Sequence, residues 1–309
     1  AFISYVIFIL ATLKILPFSE LTIFITIFIF FFLNILISQY LNISISFLKR
    51  FWKIFLFEEL LFLVALTFWS YIRGFQPDIH GLEKYMDYGF INSIIRSEYF
   101  PPKDMWFTPL SINYYYFGHL ITAVLTKASL IPSNITYNLM LDTIFAFTFT
   151  CSFSIGANLI YQFRIRTQNL KVLIGGLLTA FLVSFAGNLH TIYTFFKPYE
   201  NENPLPFWQL QLSLETFPNN YWYPNATRFI HNTIHEFSLY SFVVSDLNGH
   251  VLDIPFVLLT IALLLSMLLS INSKKNALNF KFINVLLLAF LLAIMYTTNA
   301  WDGIIYALL

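Results

Sequence analysis

Residues 81–119 read GLEKYMDYGFINSIIRSEYFPPKDMWFTPLSINYYYFGH, an acid-bearing, tyrosine-rich stretch set between runs apolar enough to lie in lipid. Whether its second half crosses a bilayer decides the fold. Charged residues make up only 11% of the chain and hydrophobic ones 58%, whereas a soluble domain carries about 25% charged residues. An all-α, polytopic integral membrane protein follows. The net charge of +1 supplies no field that would gather nucleic acid. The one cysteine, Cys151, excludes an internal disulfide.

A helix needs about 20 apolar residues to cross the hydrocarbon core. Runs at 1–16, 18–38, 54–73, 135–162, 172–195, 250–271 and 282–298 meet or approach this, which predicts about seven transmembrane helices. Three short connections carry only bases: Lys49, Arg50 and Lys53; Arg164, Arg166 and Lys171; Lys274, Lys275 and Lys281. The positive-inside rule puts all three on the cytoplasmic side. The connections at 74–131 and 196–249 then face outward. Between Arg73, outside, and Arg164, inside, the number of crossings must be odd. The 135–162 run supplies one, so 112–131 is predicted to lie along the interface instead of crossing, as its tyrosines, His119 and Lys127 suit. A second interfacial helix is predicted at 84–98, where Met86, Phe90, Ile91, Ile94 and Ile95 recur at helical spacing before Pro101 and Pro102 end it. The chain starts without Met and stops within an apolar run after Trp301, so a single transmembrane domain, 1–309, cut at both ends, is expected.

The outer connections collect the chemistry. They or their edges hold eleven of the sixteen acids, from Asp78 to Asp253, and all six histidines map to them or to outer helix ends. Glu83 and Asp87 are four apart and would share a helix face. Such a pair can take a proton from a hydroxyl or bind a divalent cation, although a solvated helix carries such pairs too. Asp104 lies in the same connection. In Tyr114-Tyr115-Tyr116-Phe117-Gly118-His119, three consecutive tyrosines cannot share one helix face, so packing alone does not demand them; His119 can position a phosphate or exchange a proton. In the second connection, Arg228 is suited to clamp a phosphate. His231 and His235 lack the glutamate of a zinc-protease HExxH motif; Glu236 follows His235. Asp246 and His250, four apart at the mouth of a span, can share a phosphate or a metal, and with Glu83 they are the metal candidates. The sequons at Asn42, Asn134 and Asn225 are chance-level matches.

These blocks resemble a known family. EKYMD at 83–87, FPPKDMWF at 100–107, SINYYYFGH at 111–119, HEFSLYSF at 235–242, SDLNGHV at 245–251 and TTNAWD at 297–302 are similar to the YYY membrane-protein family (Chlor_Arch_YYY, a domain of unknown function), from about residue 54 onward. That family is proposed to comprise membrane glycosyltransferases, and the layout is similar to the GT-C superfamily. The resemblance implies transfer of a sugar from a polyprenyl-phosphate-linked donor to an acceptor at the extracytoplasmic face, most simply of the plasma membrane. Glu83 would take the catalytic acidic position, with Asp87 and Asp104 in support. Tyr114, Tyr115, Tyr116, His119, Arg228, His235, Glu236, Asp246 and His250 would contact substrate. One departure stands out: Asn248-Gly249 occupies a place where the family usually has histidine-proline. A transporter or flippase of a lipid-linked precursor, needing polar or broken helices near the midplane, and a non-catalytic scaffold with scattered outer acids are the alternatives.

Overall fold

The computed structural model describes residues 1–40, 45–163, 169–187, 190–200, 205–219, 227, 232–270 and 277–309. Its helices are α1 (Phe2–Thr12), α2 (Glu20–Tyr40), α3 (Ile45–Arg73), α4 (Lys84–Arg96), α5 (Phe117–Ser129), α6 (Ser133–Phe163), α7 (Asn169–Phe185), α8 (Ser238–Val244), α9 (Gly249–Ser270), α10 (Ala277–Thr298) and α11 (Ala300–Ala307). Among the described residues the only β pairing is two isolated bridges, Lys103 with Ser111 and Phe196 with Leu212. The chain forms two compact units: Ala1–Ala180 with Ser245–Leu309, and Phe181–Val244.

In the first unit, apolar side chains point outward. Leu21, Phe24, Phe28, Phe31 and Leu36 of α2 are all well exposed, as are Leu60, Leu63 and Val64 of α3. A helix apolar all round is stable only when buried or in lipid. Three helical segments, Glu20–Ser38, Ser133–Gln162 and Gly249–Ser270, are long and apolar enough to cross a bilayer; they match the expected runs at 18–38, 135–162 and 250–271. Phe2–Thr12, Asn169–Phe185 and Phe282–Thr298 are shorter apolar helices. The run at 172–195 is not one helix: α7 ends at Phe185, and His190–Phe195 forms a separate 3-10 turn.

Polar contacts align α3 with α6. Trp69 stacks on Phe145 at 4.3 Å, the Ser70 hydroxyl donates to Asp142 Oδ2 at 2.7 Å, and Arg73 Nε donates to Asn138 Oδ1 at 2.7 Å. As one number rises the other falls, so the helices run antiparallel. Arg73 also donates to the carbonyls of Gln76 and Asp78, which straps down the segment leading into α4.

The helix within 112–131 starts only at Phe117, so the tyrosines precede it instead of lining it. From Phe117 to Val124 every residue is buried. Phe117, Leu120, Ile121, Ala123 and Val124 form the core with Ile7 and Ala11 of α1, Ile23 of α2, Ile94 of α4 and Ile294 of α10. Between lipid-embedded helices there is little hydrophobic drive, and close packing carries more of the association. Gly118 meets that need. A Cβ there would lie 2.7 Å from Leu252 Cβ and 2.9 Å from Thr298 Cγ2, so α5 touches α9 and the end of α10 through a bare backbone.

The second unit is a short aromatic assembly. Phe195 stacks on Phe217 at 4.7 Å and His190 on Tyr193 at 4.5 Å. Asn219 Nδ2 donates to the carbonyls of Thr194 (3.0 Å) and Ser213 (2.9 Å), holding the two limbs together.

Gly118→Val should destabilise the protein by about 1–3 kcal/mol through overpacking, read as a lower melting temperature in detergent. Gly187→Ala, where an added Cβ meets nothing within 4 Å, is the control. Equal melting of the two variants would contradict the packing role.

Candidate functional site

α4 carries an apolar stripe interrupted by charge. Lys84, Asp87, Phe90, Ile91 and Ile94 are its buried residues, and the spacing 84, 87, 91, 94 is that of one helix face. Burying a charge is costly unless it is paired, and both charges have partners. Asp87, 0% exposed, meets His119 of α5, 1% exposed, with His119 Nε2 3.1 Å from Asp87 Oδ1. Lys84 Nζ lies 3.5 Å from Asp246 Oδ1.

Asp246 sits on a tight turn whose preceding residue, Ser245, has φ 66. Tyr137 of α6, fully buried, holds that turn: its hydroxyl accepts from the Leu247 amide and donates to the Ser245 carbonyl, both at 3.2 Å. Burial pushes the Asp246 carboxyl up to about 6, and the nearby Asp87 adds to this, while the Lys84 ammonium and the Glu83 backbone amide act in the opposite direction. Glu83 itself is exposed at the N-cap of α4. Glu83 and Asp87 were expected to share a face. Their surroundings differ: Glu83, the N-cap residue whose carbonyl accepts the Asp87 amide at 3.1 Å, is exposed, while Asp87 is buried against His119.

The tyrosines divide their work. Tyr114 donates its hydroxyl to that of Tyr115 at 2.7 Å, their rings lie 3.9 Å apart, and Tyr114 also packs on Phe90. Burial, then the bond to Tyr115, raises the Tyr114 phenol well above its usual range, and Glu83 and Asp87 contribute. The Tyr115 ring lies against Gly249, directly before His250 at the start of α9. Tyr116 instead leans into the core beside Phe8; burial raises its phenol to about 12.

Thus Glu83, Asp87, Tyr114, Tyr115, His119 and Asp246 come together, with His250 following Gly249. Asp104 stands apart in its own loop, where Oδ1 accepts the amides of Trp106 (2.8 Å) and Phe107 (2.9 Å). His235 and Glu236 belong to the second unit, where the His235 amide donates to the Thr227 carbonyl at 2.7 Å. Arg228, His231 and Tyr221 to Tyr223 lie outside the described residues. Lys84 is not among the candidates read from the sequence, although its place on the apolar stripe was a signal. Sequence reasoning also missed Tyr137, for which no local pattern exists. Asp253 was counted only as one more outer acid. It is 0% exposed, and the carboxyl of Asp302 lies beside it; among the described residues no amide, hydroxyl or cation donates to its oxygens.

A divalent metal on Glu83, Asp246 and His250 does not fit this arrangement. Among the described residues no three His, Cys, Asp or Glu side chains converge on one point, and the Lys84 ammonium already stands where a cation would approach Asp246.

Outward apolar helices, three of them of spanning length, together with an inward polar cluster define an integral membrane protein. The chain belongs to the family described as "Uncharacterized membrane protein (DUF2298)", which matches residues 2–309. No curated protein and no solved structure matches it.

Asp246 gives a pH test. A carboxyl whose affinity for protons is raised by folding stabilises the native state below its unfolded value near 4, and that contribution is lost as pH rises through about 6. Between pH 4 and 6.5 the melting temperature of wild type should therefore fall more steeply with rising pH than that of Asp246→Asn. Parallel curves would rule out a raised Asp246.

Proposed function

We propose that this protein is a membrane glycosyltransferase of GT-C type, moving a sugar from a polyprenyl-phosphate-linked donor to an acceptor hydroxyl on the extracytoplasmic side of the plasma membrane. The observation that carries the reading is one accessible carboxylate, Glu83, at the rim of a buried polar cluster that holds the Asp87–His119 and Lys84–Asp246 pairs, with the Tyr114–Tyr115 pair beside it. In this reading α1, α2, the apolar part of α3, α6, α7, α9 and α10 make seven crossings, and α4 and α5 belong to the outer connection.

Glu83 takes the proton of the acceptor hydroxyl as its oxygen attacks the anomeric carbon. The bond from that carbon to the phosphate oxygen breaks, and the electron pair leaves with the polyprenyl phosphate. Cationic or hydrogen-bonding groups stabilise that growing charge; His250 has the chemistry for it. Asp87 is too deeply buried to touch an acceptor and acts as a positioning residue. Paired with His119, it sets the register of α4 and so the place of Glu83. Tyr114 and Tyr115 form the wall of the site.

The transporter alternative has one observation in its favour. Asp253 is buried inside α9, and the helix breaks at Asn299 between α10 and α11, a combination used to bind ions in transporters. Glu83 and Asp246 lie close together rather than scattered, which counts against a scaffold.

In vesicles holding the full-length protein and labelled polyprenyl-phosphate sugars, Glu83→Gln should abolish transfer while leaving melting unchanged; wild-type turnover in that variant sinks the assignment. Substrate crossing the membrane unmodified would favour the transporter. The orientation is testable separately. In a Cys151→Ala background, a cysteine at Ser97 should react with an impermeant maleimide in intact cells and one at Ser273 should not. The reverse pattern would invert the topology.

A further inference from the structure

We propose that the face of α4 opposite the Asp87–His119 pair, with the loop that follows it, forms a second ligand site that binds a neutral carbohydrate. There α4 and residues 97–108 enclose a groove of about 940 Å³, the size range of ligand sites. The groove is built, not merely open. Met105 lies against the bare backbone of Gly89, where an added Cβ would come within 2.4 Å of its sulfur. The Ser93 hydroxyl donates to the Lys103 carbonyl. The Ile112 amide donates to the Pro102 carbonyl at 3.0 Å, and the Glu98 carbonyl accepts the Phe18 amide at 2.7 Å. The loop is therefore tied to α4, to itself and to the segment before α2.

The lining chemistry selects the ligand class. Arg96 and Lys103 contribute two positive groups, and Glu98 and Asp104 two negative ones. No ion pair joins them among the described residues. A small anion would meet Glu98 and a small cation would meet Arg96 and Lys103, so neither sign is selected. A polyol suits both: its hydroxyls donate to carboxylates and accept from guanidinium and ammonium groups. The tyrosine rings, Tyr85 the most open at 54% exposure, offer an apolar face with a polar edge to the C–H side of a sugar. Glu83 precedes the first residue of this same helix. As the acceptor subsite, the groove rests on the transferase reading; as a sugar site, it stands without it.

The test is binding without turnover. The full chain in nanodiscs is titrated with neutral disaccharides (maltose, lactose and mannobiose) and separately with sodium phosphate, with the fluorescence of Trp106, 67% exposed on the same loop, compared with a Trp106→Phe control. At least one disaccharide should bind saturably. Arg96→Ala and Glu98→Ala, both at exposed positions, should each weaken it about tenfold, the effect of one lost hydrogen bond to a charged group, with unchanged melting temperature. Gly187→Ala, outside the groove, should bind the disaccharide as wild type does. Phosphate binding that displaces or replaces sugar binding overturns the proposal, as does the absence of any disaccharide binding. Sugar binding in a protein that shows no transfer would remove the transferase reading and leave the groove in place.

Discussion

Asp87 has no contact with solvent, and a carboxylate in that position is tolerable only because His119 meets it at 3.1 Å. Removing either partner would strand the other in an apolar core, and breaking a buried pair costs about 3–5 kcal/mol. The pair therefore sets the register between α4 and α5. Much else hangs on that register. α5 supplies the centre of the core, with residues from α1, α2, α4 and α10 packed around it. The chain just ahead of α5 carries Tyr114 and Tyr115, and the residue just ahead of α4 is Glu83. Glu83, Tyr114 and Tyr115 are thus positioned by a bond between two buried residues.

The surrounding solvent explains the remaining architecture. Apolar side chains on α2, α3 and α7 face outward, while Ser4, Thr22, Thr122, Thr148, Asp87 and Asp142 are among the polar side chains that turn inward. In lipid, packing and polar pairing hold helices together, because tails are as apolar as leucine. The contacts follow that logic. Ser70 with Asp142 and Arg73 with Asn138 align α3 with α6. Lys127, near the end of α5, reaches Glu20 at 3.4 Å at the start of α2. Tyr137 grips the turn that presents Asp246. These pairs lie at or near helix ends, where polar groups are least costly to place.

Much of the fold was legible in the residues. Long apolar runs gave α2, α6 and α9, and the helical spacing of Phe90, Ile91 and Ile94 followed by two prolines gave α4. The start of α5 was not legible, because the tyrosines continue the apolar run without a break in composition. Neither was the end of α7, since Leu189, Ile192, Tyr193 and Phe195 carry hydrophobic residues on past the end of the helix. Within the site, the acids and tyrosines were found as residue types. Their roles were not: Asp104 is held by its own loop amides, and Lys84, passed over in the sequence, is half of a buried ion pair.

The sequence by itself determined that the chain dissolves in lipid as helices, and that its chemistry gathers in the polar connections between them, because composition and periodicity act over a few turns of chain. Only the tertiary structure decided which of two nearby acids is reachable. Glu83 and Asp87 are equivalent by type and almost by position. They part company because Asp87 meets a histidine 32 residues away, while Asp246 is brought to Lys84 by a turn fixed to a tyrosine 108 residues from Ser245. Contacts at such separations depend on how whole helices pack, and no local pattern encodes them.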